Sequence, residues 1–128
     1  KGSVHVNKNT GVLRTKSTGR SSNDWQSLGA LAWARYSGSA QLIRQSNNIA
    51  SIVRNSTGNY TVTLDSNLEF ASSNDFCAVA TSSQPMTKVG SATVSSNQAS
   101  FTVETIKSDG TNGNSGFINI VVYGITSN

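Results

Sequence analysis

Few residues of this chain could do covalent chemistry. His5 is the only histidine, and it sits in Val4-His5-Val6. A histidine-based triad also needs a nucleophile and an orienting acid, and Val-His-Val offers neither, so His5 reads as a strand residue. Cys77 is the only cysteine, which excludes an internal disulfide framework. Its setting, Asp75-Phe76-Cys77-Ala78-Val79-Ala80, reads as a strand with a small buried thiol. Asp65, Glu69, Asp75, Glu104 and Asp109 could pair for glycoside hydrolysis, but any fold carrying five acids offers some pair. The run Asp109-Gly110-Thr111-Asn112-Gly113-Asn114-Ser115-Gly116 has the composition of a phosphate or calcium loop. It lacks the lysine of a P-loop and the closing glutamate of an EF-hand, and reads as a hairpin loop. These residues predict no catalysis, no metal site and no cofactor.

Aromatic side chains offer a different chemistry, non-covalent stacking. Trp25 lies in the polar segment Ser22-Asn23-Asp24-Trp25-Gln26, where an exposed ring could stack on a sugar while amides bond its hydroxyls. Trp33 alternates with Leu31 and reads as core or interface packing. Nucleic acid would call for basic residues interleaved with aromatics, and only Arg35-Tyr36 and the surroundings of Trp25 come near that. No nucleic-acid partner is expected.

The elements that must position these groups are strands. Charged residues make up 12% of the 128 residues, about half the usual share. Ser, Thr, Asn and Gly fill the gap, yet Val, Ile, Thr, Tyr and Phe recur in alternating runs, unlike a disordered chain. Val4–Val6 and Val12–Arg14 flank Asn9-Thr10-Gly11, a hairpin signal. Thr15 to Ser27 is polar and predicts an irregular linker or arm. Further strands are predicted at 30–36, 40–45, 49–54, 60–64, 75–81, 88–95, 99–106 and 117–123, separated by polar turns. At this length one all-β domain is expected, and strands so short and so regularly spaced point to a sandwich or barrel.

Tyr60, Val62 and Leu64 alternate with Thr61 and Thr63, the pattern of one buried and one wet face. The last strand differs. Ile118, Ile120 and Val122 fill one face, and Phe117, Val121 and Tyr123 crowd the other beside Asn119. A strand apolar on both sides needs cover on both, as in an oligomer. The net charge of +4 is uneven: residues 1–54 carry +7, with eight Lys and Arg against Asp24, and the remainder carries −3. The basic residues form no run, which suits a solvated face or a contact within an assembly. No apolar stretch is long enough to span a membrane, no signal-peptide pattern is present, and the chain begins at Lys1, as a processed product or fragment would.

Several segments, in order, resemble the C-terminal domain of bacteriophage tail fibres. Ala32-Trp33-Ala34-Arg35-Tyr36-Ser37-Gly38 fits A-W-x-x-[FY]-x-G. Asn48-Ile49-Ala50-Ser51-Ile52 and Gly58-Asn59-Tyr60-Thr61-Val62 fit N-[IV]-x-S-I and G-x-Y-T-V. Phe76-Cys77-Ala78-Val79 matches an aromatic-x-small-V strand, and Ile120-Val121-Val122-Tyr123-Gly124 resembles the V-x-V-[FY]-G close. The resemblance covers roughly residues 30–124. It implies a jelly-roll-like antiparallel β-sandwich head over residues 30–128 preceded by a β-rich stalk or linker over 1–29, an intertwined or parallel homotrimer, other virion tail proteins as partners, and attachment to a bacterial surface glycan such as lipopolysaccharide. It implies a location in the phage tail after assembly in the host cytoplasm. Loop position and side-chain chemistry nominate Asn55, Asn59, Asn112, Asn114 and Trp25 for glycan contact, and the apolar second face nominates Phe117, Val121 and Tyr123 for the trimer interface. The alternatives are a purely structural virion protein of capsid, neck or adaptor type, and a glycan depolymerase, for which the chain lacks a long grooved scaffold.

Overall fold

The computed structural model describes residues 4–6, 8–11, 13–16, 25–27 and 29–127. They form β1 (Val4–Val6), β2 (Leu13–Lys16), β3 (Trp25–Ser27), β4 (Ala32–Ser37), β5 (Leu42–Asn47), β6 (Ile49–Ser56), β7 (Asn59–Leu64), β8 (Phe76–Ser82), β9 (Met86–Ser95), β10 (Gln98–Ile106) and β11 (Ile118–Thr126). A single 3-10 turn, Ser73–Asp75, precedes β8, with the Ser72 hydroxyl accepting the Asn74 N–H at its start.

Two antiparallel sheets of four strands make the body. One runs β5-β4-β11-β8, and the other runs β6-β7-β10-β9. The strands predicted between residues 30 and 123 are all present, shifted by a few residues. The expectation of an irregular segment over 15–27 fails at both ends: Thr15 and Lys16 belong to β2, and Trp25–Ser27 form β3. Residues 17–24 lie outside the described residues. β3 pairs with β2 and with Ile125 and Thr126 of β11, so the β1-β2-β3 meander is bonded to the last strand across the boundary expected near residue 29. Backbone pairing there overrides a polar composition that carries no alternation to read.

Alternation builds the core. Ala32 and Tyr36 of β4 and Ile118, Ile120 and Val122 of β11 face inward from one sheet. Tyr60, Val62 and Leu64 of β7 and Ala99, Phe101 and Val103 of β10 meet them from the other, in one buried cluster. This is a β-sandwich-like arrangement, with each sheet burying one face against the other. Ala78 and Ala80 of β8 stand opposite Val122 and Ile120 in register, where larger side chains from the facing sheet need room. The connection from β7 to β8 closes one end with Leu68 and Phe70. Phe70 packs on Phe76 at 5.2 Å between ring centroids, and Phe76 on Phe101 at 6.2 Å.

The chain changes sheet between β5 and β6 at one residue. Asn48 takes φ +58, a left-handed conformation that asparagine tolerates better than most residues. Its side-chain amide donates to the Leu31 carbonyl (2.8 Å) and the Thr10 carbonyl (3.0 Å), and its own carbonyl accepts Asp65 N–H. One side chain thus holds the corner and ties the β1–β2 turn to the body.

Parity corrects one sequence expectation and narrows another, Trp33 as core or interface packing, by excluding the core. Cys77 is exposed, not buried, because Phe76, Ala78 and Ala80 supply the inner face of β8. Trp33 lies on the outer face and is 39% exposed. Leu31 precedes β4, where its N–H donates to the Val122 carbonyl, so it does not share the face of Trp33.

Candidate functional site

Four connections meet at one end of the body: 38–41 between β4 and β5, 57–58 between β6 and β7, 83–85 between β8 and β9, and 107–117 between β10 and β11. The long loop is laid over the short ones by paired backbone bonds. Thr105 N–H donates to Gly58 O, Gly113 N–H to Thr105 O, and Ser39 N–H to Ser115 O. Gly58 adopts φ +65, and a Cβ there would stand 2.7 Å from both Gly113 N and Thr105 O. No other residue fits that crossing without displacing backbone.

Side chains complete the seam. The Asn114 amide oxygen accepts from Gly58 N–H and from the Tyr60 phenol, each at 3.1 Å, while Gln84 donates to the Asn114 backbone carbonyl at 2.6 Å. The buried Ser115 hydroxyl contacts Ser83 Oγ at 2.6 Å, accepts Ser83 N–H and reaches the Phe117 carbonyl. Thr105 donates its hydroxyl to Gly113 O, and Asn112 donates to Gly58 O and Glu104.

The four asparagines nominated for glycan contact are therefore brought together at this end, in two distinct settings. Asn112 and Asn114 are half-buried and engaged in the seam. Asn55 lies on the surface of the β6–β7 hairpin, where its amide donates to Asn59 Oδ1 (2.9 Å) and Thr61 Oγ1 (2.8 Å). These two present a rigid amide pair to solvent. Nearby, Thr111 donates both its hydroxyl and its N–H to Asp109, and these bonds, aided by Lys107, hold the Asp109 carboxyl below the usual carboxylate range. Trp25 is not part of this group. It pairs with Thr126 at the opposite end of β11, roughly 25 Å along a strand of that length.

Phe117, Val121 and Tyr123 lie on the outer side of the β5-β4-β11-β8 sheet, with Phe117 and Val121 half-buried and Tyr123 47% exposed. Val121 is flanked in register by Trp33 on β4 and by Val79 on β8, which is 57% exposed. Tyr123 stands opposite the exposed Cys77. The next row is polar and pairs with itself: Arg35 donates to Asn119 (3.0 Å), and Asn119 to Thr81 (3.3 Å). The Arg35 guanidinium also covers the Phe117 ring at 4.4 Å. The sequence offers Trp33 as core or interface packing but does not single out Val79, whose sharing a row with Val121 depends on strand order. The outer side of the other sheet is different in kind. Ser51, Thr63, Ser100 and Thr93 line up across it in register, and Thr93 bonds Ser100.

Among the described residues no cluster of three metal-ligating side chains occurs, and no helix is long and apolar enough to cross a membrane. Comparison with protein-family models, with curated proteins and with solved structures gave no match.

Proposed function

We propose that this chain is the distal head of a bacteriophage tail fibre, a homotrimer that attaches the virion to the bacterial surface by non-catalytic glycan binding. The observation that carries this reading is the row Trp33–Val121–Val79, continued by Tyr123, which gathers three exposed large hydrophobic side chains on one sheet face. An apolar face of this kind on a charge-poor protein suits burial against copies of itself, since homo-oligomer interfaces are the more apolar class. Three copies packed through this sheet would turn their hydroxyl-rich sheets outward and their loop ends in one direction. Sheet changes between β5 and β6, β7 and β8, β8 and β9, and β10 and β11 tie the two sheets together, which suits a rigid module of this type. The Asn55–Asn59 pair supplies reversible polar contacts of the sort a glycan takes, and three such sites add avidity to individually weak binding.

Light scattering tests the assembly. The expected mass is three times that of the chain, and Trp33→Ser combined with Val79→Ser is expected to give a monomer that keeps its β-sheet circular dichroism. Adsorption of the labelled trimer to host cells, reduced by removal of surface glycan, is expected to follow. A monomeric parent protein at high micromolar concentration would overturn the trimer. A trimer that binds another tail protein and no cell would move the purely structural virion reading to the front.

A further inference from the structure

The inner face of β6 carries Ile49 and Ile52, which pack on the core, and then Arg54. Arg54 stands directly opposite Tyr60 in register and so shares its inward side. The edge of Tyr36 meets the Tyr60 ring at 5.5 Å and 72°, which places all three side chains at one edge of the sandwich. Two polar groups there lack partners. Arg54 is half-buried and makes no ion pair with any carboxylate among the described residues. The Tyr36 phenol oxygen is buried with no hydrogen-bond partner, although Tyr60 beside it is satisfied by Asn114. A buried unpaired hydroxyl is costly, as is a guanidinium taken partly from water without an anion.

We infer that Arg54 and Tyr36 form an oxyanion site at the edge of the sandwich between β5 and β6. A carboxylate or phosphate oxygen there would accept from the Arg54 guanidinium and from the Tyr36 hydroxyl, giving both groups the partner they lack. Burial raises the pKa of both phenols and the Arg54 charge pulls against it, so Tyr36 stays protonated and able to donate at neutral pH. The acids Asp65, Glu69 and Asp75 lie in or beside the β7–β8 connection at the far end of the body. Glu104 is nearer, but it alternates with the buried Val103, faces the outer side and accepts from Asn112, and Asp109 accepts from Thr111 in the long loop. The inference deepens the glycan reading by naming an acidic or phosphorylated sugar as the ligand class, but the site itself does not depend on trimer formation.

The test uses the whole chain and two probes, glucuronate for a sugar carboxylate and glycerol phosphate for a phosphate, titrated while the Arg54 Nε–H and the Ile52 and Ser56 amides are followed by NMR. Saturable shifts at a dissociation constant on the order of millimolar are expected for at least one probe, and the tighter of the two identifies the source. Arg54→Gln is expected to weaken binding by about tenfold or more and Tyr36→Phe by several-fold, with both variants folded. Absence of saturable shifts with both probes, or equal binding by Arg54→Gln, would overturn the site. Aggregation of Arg54→Leu with no anion binding by the parent would assign Arg54 to protection of an edge strand instead. Loss of cell adsorption alone would bear on the tail-fibre reading and leave this result standing.

Discussion

Replacing Asn114 with alanine separates a residue that builds the loop end from one that contacts a ligand. The substitution removes the acceptor of two donors, Gly58 N–H and the Tyr60 hydroxyl. An orphaned, largely buried donor costs about 1–3 kcal/mol. Tyr60 keeps Thr105 and Ser115 nearby as substitutes, so its share falls at the low end. The sum is about 2–4 kcal/mol. For 128 residues the entropy of unfolding near the midpoint is about 0.27 kcal/mol per kelvin, so Tm falls by roughly 7–15 °C. The assay is thermal unfolding by circular dichroism, paired with denaturant unfolding to exclude an irreversible artefact. Tyr60→Phe removes one of the same bonds, so the double variant should show a coupling of about 0.5–1.5 kcal/mol. On the proposed attachment role, receptor binding measured well below the lowered Tm should stay within about threefold of the parent. A variant with unchanged Tm and lost receptor binding would refute the reasoning and make Asn114 a ligand contact.

Asn48→Ala loses both corner bonds and the residue type suited to φ +58, a destabilisation of about 2–4 kcal/mol; Asn48→Gly recovers the conformational part, and denaturation midpoints would show the ranking. Gly58→Ala and Gly110→Ala both place alanine at positive φ, but only at Gly58 does the new Cβ strike backbone. The first should cost more than about 2 kcal/mol and the second about 1 kcal/mol. For Asp109, the depressed folded pKa means that its contribution is present above the unfolded value and is lost as pH falls through the folded one. An NMR titration should find Asp109 below the usual carboxylate range and, in Thr111→Val, closer to it.

What the sequence revealed follows from range. Tyr60, Val62 and Leu64, and the doubly apolar 117–123, could be read because strand parity is local. The role of Asn112 and Asn114 could not, because their partners Gly58 and Tyr60 lie more than fifty residues away and only sheet order brings the loops together. Arg54 was hidden for another reason. Register shifts between Ile49 and Ser51 and between Arg54 and Ser56 break the period of two, so a charged residue falls on the core side where simple alternation does not put it. β3 escaped because Trp25-Gln26-Ser27 is too short to show an alternation, and its partners lie in β2 and at the end of β11.

β11 has consequences for the order in which the molecule is made. It lies between β8 on one edge and β4 and then β3 on the other, and it follows all of them in the chain. Until the polypeptide has been synthesised through Thr126, β4 and β8 have no strand to join them and Ile118, Ile120 and Val122 are missing from the core. The β4-β5 hairpin, the β1-β2-β3 meander and the whole β6-β7-β10-β9 sheet can pair earlier, but the first two have no link to β8 until β11 is made. Folding of the body thus waits on its last strand, with long loops closed late and slowly. A chain cut before Ile118 leaves Trp33 on β4 and Val79 on β8 without Val121 between them, so the apolar row on the outer face does not exist until the last strand is in place.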